Sequence, residues 1–304
     1  MKISTSFLFD RATERMSTIQ NKLATTQAQL SVSKQVLSPS DAPDQAAAIQ
    51  RIKGEIDRQN SHSTLLKNAL NRYRAEETSL SSANDILTRL KELGLQAAND
   101  TLSVDDRKSI AAEMKALRAQ LLSLGNTRDD NGNYLFSGTR VNTPAFSEGS
   151  DGKVVYNGDQ TQTRIPAGVE RTVQYTRAGT DVFQRVVRTD GSAVGFFDAL
   201  DHMVSAVENS QTADIQQGNA DLSQMQNALG LSIAQAGSDQ QVVQSQLDVL
   251  DETALRLKST LSDVEDLDYA EAVTRMNKEV MALEAAMSSF TKISSLSLFD
   301  YIGR

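Results

Sequence analysis

The segment FDRATERMSTIQNKLATTQAQLSVSKQVL, residues 9–37, decides the fold because its apolar side chains recur every seven residues. One position of the repeat is occupied by Phe9, Met16, Leu23, Leu30 and Leu37. Ala12 and Ile19 each follow a member of that series by three residues. This is an a/d seam, which is typical of a helix that packs in a coiled coil. We therefore predict a helix that starts after Ser6 and ends near Leu37.

The other end of the chain carries a second seam of the same kind. It consists of Val273, Met276, Val280, Leu283, Met287 and Phe290. A single helix cannot bury its own seam, so we expect the two ends to pair as antiparallel helices. Their stability should stay marginal until neighbouring molecules cover the remaining apolar edges.

Prolines and glycines divide the chain between these ends. Proline interrupts helices, and the four prolines stand at positions 39, 43, 144 and 166, so long helices are permitted elsewhere. Ten of the 16 glycines lie between Gly125 and Gly195, where turns and strands should concentrate. The sequence thus predicts a mainly α protein with a β-rich insert, in which both ends form a long antiparallel coiled-coil bundle.

Three domains follow from this division. Residues 1–43 with 268–304 should form a terminal coiled-coil domain for assembly. Residues 44–130 with 195–267 should form a bundle of long helices. Residues 131–194 should form a small outer domain rich in β-structure.

Local patterns place the individual elements. Asp41 is a candidate N-cap for a second helix that reaches Asn99, and Ser103 with Asp106 predicts a capping box for a third. Gly125 should end that third helix. Strands are predicted at Tyr134–Phe136, at Val154–Tyr156, around Val169, Val173 and Tyr175, and over Val182–Val187.

Two points should interrupt the long helices. The first is the proline-containing loop before the second helix, and the second is the acidic segment 263–268, where the heptad phase slips. We interpret both as joints. The candidate hinge residues are Pro39, Asp41, Pro43, Asp266 and Asp268.

Composition excludes several function classes. A net charge of −8 and a pI near 5.0 disfavour nucleic acid and anionic membranes as partners. The absence of cysteine excludes disulfide scaffolds, cysteine-based zinc sites and thiol catalysis. No apolar stretch is long enough for membrane insertion, and the N-terminus has no Sec-type signal pattern.

Candidate catalytic residues are also lacking. The two histidines, His62 and His202, have polar neighbours on predicted helices, and the pairs Glu76–Glu77 and Asp129–Asp130 are interpreted as surface or capping residues. The loop after Asp129 has its glycine in the wrong place for a calcium site. We expect no enzyme activity, no cofactor and no metal site.

Four short motifs in order suggest a family. They are Lys2-Ile3-Ser4-Thr5, Leu37-Ser38-Pro39-Ser40-Asp41-Ala42-Pro43, Tyr134-Leu135-Phe136-Ser137-Gly138-Thr139 and Leu296-Ser297-Leu298-Phe299-Asp300-Tyr301. With them the chain resembles the flagellin-like hook-associated proteins, which join the hook of a bacterial flagellum to its filament. The resemblance covers nearly the whole chain and is strongest at both ends.

The resemblance implies a secreted, extracellular structural subunit located at the hook–filament junction. It implies export through the flagellar type III apparatus with the help of a chaperone. It further implies a ring of identical subunits placed between another hook-associated junction protein and flagellin, with the terminal helices lining the inner tube.

On this hypothesis both seams, extended to the chain ends, form the assembly interface. Its predicted members are Ile3, Phe7, Phe9, Met16, Ile19, Leu23, Leu30, Leu37, Val273, Met276, Val280, Leu283, Met287, Phe290, Ile293, Leu296, Leu298 and Phe299. Two alternatives stay open: filament flagellin, which shares the architecture, and an unrelated extracellular coiled-coil stalk protein.

Overall fold

The computed structural model describes residues 2–167, 172–188 and 190–302; of residues 2–6, 8 and 293–302 it describes the helical backbone alone. The helices are α1 (Lys2–Val32), α2 (Pro43–Ala97), α3 (Val104–Gly125), α4 (Gly179–Val182), α5 (Phe196–Glu208), α6 (Thr212–Glu265) and α7 (Tyr269–Ile302). The strands are β1 (Phe146–Glu148), β2 (Val154–Tyr156), β3 (Arg164–Pro166), β4 (Thr172–Gln174), β5 (Val186–Val187) and β6 (Ala193–Val194). The protein is mainly helical, with long helices at both ends and a small sheet-containing insert, as predicted.

Contacts between residues divide the chain into two compact units. Unit 1 consists of Met1–Asn60 and Glu252–Arg304, and unit 2 consists of Ser61–Asp251. The finer division into three domains remains a prediction.

In unit 1, α1 packs against α7. The rings of Phe9 and Phe290 lie 4.8 Å apart between their centroids, and Lys34 forms an antiparallel bridge with Asp266. An early residue of one helix thus meets a late residue of the other. The two ends of the chain pair antiparallel, as their seams predict.

Helix α1 ends at Val32, five residues before the predicted position at Leu37. Ser33 adopts a left-handed backbone conformation with φ of 57°, which a continuing α-helix does not accommodate. Leu37 therefore lies beyond the helix. The heptad pattern extends past the helix because it records apolar spacing and not backbone conformation.

The predicted capping role of Asp41 is wrong. Helix α2 begins at Pro43, and the Asp41 carboxylate instead accepts a hydrogen bond of 2.9 Å from the Ser38 N–H. Asp41 thereby closes the preceding loop. Pro43 occupies the first helical position, where its missing N–H leaves no hydrogen bond unmade.

The start of α3 agrees with the sequence pattern. The Ser103 side chain accepts a hydrogen bond from the Asp106 N–H, and the Asp106 carboxylate accepts one from the Ser103 N–H. This is the predicted capping box, and the helix ends at Gly125 as expected.

The break between α5 and α6 was not predicted. Ser210 has a φ of 57° at this break.

The strands form three separate two-stranded antiparallel sheets, β1–β2, β3–β4 and β5–β6. The predictions at Val154–Tyr156 and Val173 are confirmed. Tyr134–Phe136 is not a strand, although Tyr134 bridges Arg128, and within 182–187 only Val186–Val187 is a strand. Val169 lies outside the described residues.

Unit 2 contains the hydrophobic core. Its larger cluster joins buried residues of α2, α3, α5 and α6 with an aromatic group from the insert. The ring centroid of Phe183 lies 5.3 Å from that of Phe146 and 5.7 Å from that of Phe136, all three in the insert, and 5.2 Å from that of Phe196 on α5. These rings meet edge to face. A second cluster joins Leu66–Tyr73 of α2 with Ile165, Val173 and the segment 243–250 of α6.

One prediction tests how closely α6 packs on α5 within this core. A Cβ added at Gly218 would lie 2.1 Å from the sulfur of Met203, which is only 1% exposed. We expect Gly218→Ala to destabilise unit 2 by about 1–3 kcal/mol because Met203 has little free space. The free energy of unfolding in urea measures the change.

The same helix offers a matched control. Apart from Gly230 itself, its two chain neighbours and the adjacent backbone of α6, no atom lies within 4 Å of a Cβ added at Gly230. Gly230→Ala should therefore stabilise the helix by up to about 1 kcal/mol through its higher helix propensity. Equal destabilisation by both substitutions would contradict the close packing at Met203.

Candidate assembly surface

The seams of α1 and α7 are only partly covered by each other. On α1, Met16, Ile19, Leu23 and Leu30 are half-buried, whereas Phe9 is 44% exposed. On α7, Val273, Met276, Leu283 and Phe290 are half-buried, whereas Val280 is 36% and Met287 52% exposed. The pairing of the two helices thus leaves an apolar edge on each.

The remaining predicted interface residues extend that edge or fall outside what is described. Phe7 is 58% exposed and Leu37 is 39% exposed. Of the side chains of Ile3, Ile293, Leu296, Leu298 and Phe299 the structure describes nothing. The interface as a set remains a prediction.

Unit 1 buries few hydrophobic side chains in comparison with unit 2. Among its described residues, the buried hydrophobic side chains are Ile49, Ile56 and Ala272. Both hydrophobic clusters lie in unit 2. Helices α1 and α7 have 31 and 34 residues. Their stability therefore depends on the narrow seam between them, whereas most long helices pack against a hydrophobic core.

The candidate hinge residues lie at the ends of helices. Asp268 caps α7, because its carboxylate accepts a 3.0 Å hydrogen bond from the Glu271 N–H. The Asp266 carboxylate pairs with the Ser262 hydroxyl. Pro39 is exposed in the loop before α2. The helix break between α6 and α7 lies in the predicted acidic segment, and the role of these residues as hinges remains a prediction.

A residue that sequence analysis missed lies beside this break. The Glu265 side chain is 9% exposed and forms salt bridges with the ammonium groups of Lys34 and Lys53, the latter at 2.8 Å. Hydrogen bonds from these lysines lower the pKa of the Glu265 carboxyl, so it stays charged at neutral pH. Its place in the acidic segment was visible in the sequence, but its basic partners are distant in the chain.

Unit 2 holds buried charges that were expected on the surface. Arg72 is 3% exposed and pairs with Asp129 at 3.1 Å, while Arg177 pairs with Glu76 and, at 3.2 Å, with Asp239. The surface interpretation of Glu76 and Asp129 is wrong, because each carboxylate pairs with an arginine from a distant segment. The capping alternative holds for Asp129, whose carboxylate also accepts hydrogen bonds from the Asn131 and Asn133 N–H groups. Burial raises the pKa of the Glu76 carboxyl, and both arginines oppose that effect.

These buried charges serve packing. Arg72 also donates hydrogen bonds to the carbonyls of Leu135 at 2.8 Å and Tyr175 at 3.0 Å, and the Tyr73 hydroxyl donates to the Gln174 carbonyl at 2.5 Å. The network thereby fastens α2 to the insert.

The two histidines lie on the surface of helices. His62 and His202 are exposed on α2 and α5, as predicted. Across residues 2–167, 172–188 and 190–302, no three His, Asp or Glu side chains are grouped so that they could hold a metal ion. Among the helices described, none combines the length and apolar character needed to cross a membrane.

Two family models match the chain. Residues 3–141 match the bacterial flagellin N-terminal helical region, and residues 212–302 match the bacterial flagellin C-terminal helical region. The six strands that the structure describes lie between the two matched regions. The matched parts include α1, α7 and the long helices joined to them.

Individual proteins add to these matches. Flagellar hook-associated protein 3 of Escherichia coli is 29% identical over 99% of both chains. A flagellin of Clostridium tyrobutyricum is 23% identical over 69% of this chain and 55% of that protein. The crystal structure of Xanthomonas campestris FlgL covers 70% of this chain and 99% of its own, with a TM-score of 0.60 and 23% identity. That structural likeness concerns the fold.

Proposed function

We propose a function from one premise: this chain belongs to the flagellin family, in the branch of the flagellar hook-associated proteins. It is a structural subunit of the bacterial flagellum that joins the hook to the filament. The family is one of structural proteins, and the role requires no catalytic site.

One observation carries the mechanism. The paired helices α1 and α7 keep an exposed apolar edge, and the described part of unit 1 buries few hydrophobic residues of its own. Apolar edges of this kind gain free energy when another molecule covers them. Neighbouring subunits that present the same paired helices would supply that cover. Assembly through the terminal helices follows from this arrangement.

The partners follow from the same role. Other copies of the chain form a ring, with the adjoining hook-associated protein on one side and flagellin on the other. Before assembly, an export chaperone covers the apolar ends, and the chain leaves the cell through the flagellar export apparatus. The finished protein is extracellular, at the hook–filament junction.

The two alternatives predict different arrangements. Filament flagellin is disfavoured because the hook-associated relative is 29% identical over 99% of this chain, whereas flagellins that align with 84% to 96% of it are 21% to 24% identical. An extracellular coiled-coil stalk would keep its chain ends far apart. Antiparallel packing of α1 on α7 within one chain disfavours it.

Immunolabelling of purified flagella tests the proposal. We expect label in a single band at the far end of the hook. Label along the whole filament would identify the chain as flagellin instead. Absence of label from intact flagella that carry hooks and filaments would refute the junction role.

A further inference from the structure

Two interruptions of long helices meet at one place in unit 1. After α1 the chain turns at Ser33, and after α6 it leaves the helix at Asp266. Between them the Gln35 N–H donates to the Glu265 carbonyl at 2.9 Å, and the Leu267 N–H donates to the Ser33 carbonyl at 3.1 Å. The two connections are therefore joined by a single antiparallel β-bridge between Lys34 and Asp266.

The side chain of Glu265 adds a third element to this pair. Its Oε1 atom accepts from Lys34, on the connection after α1, and from Lys53, on α2, at 2.8 Å. One carboxylate thus joins three segments: the end of α6, the α1–α2 connection and α2 itself. Residues 34 and 265 are 231 positions apart in the chain.

The neighbouring carboxylates do not share this function. Asp266 bonds to Ser262 in the last turn of α6, and Asp268 caps α7. Glu265 is also the most buried of the three residues that form the ion pairs. Its side chain is 9% exposed, while those of Lys34 and Lys53 are 45% and 39% exposed. A largely buried carboxylate left without partners costs more than the loss of an exposed ion pair.

We propose that Glu265 is an ionic clasp that holds the α1–α2 and α6–α7 connections together and fixes both to α2. While the ion pairs of Glu265 are intact, the paired helices α1 and α7 cannot bend at one of the two connections without the other. In an assembled flagellum the clasp keeps each subunit's connections rigid under mechanical load. This consequence rests on the proposed junction function.

Shear of living cells tests the clasp. A strain that lacks this chain is complemented with the wild-type chain, with Glu265→Gln or with Glu252→Gln, and filament loss in a calibrated shear flow is counted. Glu252 is the matched control because it lies on α6 with 68% of its side chain exposed and pairs only locally with Arg256. Loss of charge-assisted bonds to Glu265 should raise the rate of filament loss about tenfold or more, while Glu252→Gln behaves as wild type.

A second substitution separates the clasp from a general structural defect. Lys53→Gln should raise filament loss in the same direction. Because both substitutions break one shared interaction, the double variant should shed filaments no faster than Glu265→Gln alone. Should Glu265→Gln prevent assembly, Lys53→Gln provides the same comparison with Glu252→Gln.

Carbodiimide cross-linking of purified flagella checks the contact directly. Activation of the Glu265 carboxylate and attack by a lysine amine form an amide and release the urea by-product. Mass spectrometry should find the Glu265 peptide joined to the Lys34 or Lys53 peptide in wild type and in Glu252→Gln.

The outcomes distinguish the two proposals. Immunolabel away from the junction refutes the function. Label at the junction, with equal filament loss for Glu265→Gln and Glu252→Gln or with fully additive effects of Lys53→Gln and Glu265→Gln, overturns the clasp.

Discussion

Cells whose chain carries Val280→Asp and Met287→Asp should lack attached filaments and fail to swim, although unit 2 stays folded. Val280 and Met287 share the α7 seam but are the members that α1 leaves most exposed. A fully buried side chain of this size contributes roughly 1.5–3 kcal/mol, and an aspartate placed there must lose its hydration. Because every subunit repeats the defect, assembly should fail entirely. Motility assays and electron microscopy measure this outcome.

A matched variant adds the same charge elsewhere on α7. Asn277 and Ser288 are exposed polar residues of the same helix. Asn277→Asp with Ser288→Asp should leave filaments attached. Circular dichroism of both purified variants should show that unit 2 unfolds at the wild-type temperature. Swimming cells with attached filaments in the Val280–Met287 variant would contradict the proposed assembly surface.

The second large effect concerns the stability of unit 2. Arg72→Met should lower its free energy of unfolding by about 3–5 kcal/mol, because the change leaves a buried carboxylate without its partner. Asp129 is 5% exposed and pairs with Arg72 at 3.1 Å. The carbonyls of Leu135 and Tyr175 lose their donor at the same time. Urea unfolding followed by circular dichroism gives the value.

Arg89→Met on the same helix is the control. Arg89 is 49% exposed, and its partners Glu92 and Glu113 are exposed as well. Water and salt screen such pairs, so the loss of stability should be far smaller. Similar losses in the two variants would mean that the buried network does not hold the insert to α2.

Much of the fold was predictable from local patterns. The heptads at both ends depend only on residues three and four positions apart, which a helix places on one face. The capping box at Ser103 joins residues three positions apart, and glycine density marked the region of strands. These features concern neighbours in the chain, so the sequence displays them directly.

The residues of the candidate assembly surface were also predictable from local patterns, but their exposure was not. Periodicity identified the seam residues of α1 and α7 as apolar edges that one helix cannot bury. It could not tell that Met287 is 52% exposed while Leu283 is half-buried, since that depends on how α1 lies against α7. It also placed the end of α1 at Leu37, because apolar spacing continues past Ser33, where the backbone turns.

The failures share one physical cause. Glu76, Asp129 and Glu265 look like ordinary surface carboxylates because the bases that neutralise them are far away in the chain. Burial of a charge is favourable only once the fold brings the opposite charge to it. Likewise, Phe146 and Phe183 meet only when the insert folds over α5.

Spacing along the chain was thus enough to specify long amphipathic helices, their antiparallel pairing and an incomplete apolar surface, because those depend on short-range geometry. The identity of the buried ion pairs, the aromatic cluster and the clasp at Glu265 required the folded chain. Electrostatic attraction and packing act over a few ångströms, and folding alone brings residues such as Lys34 and Glu265, 231 positions apart, within that distance.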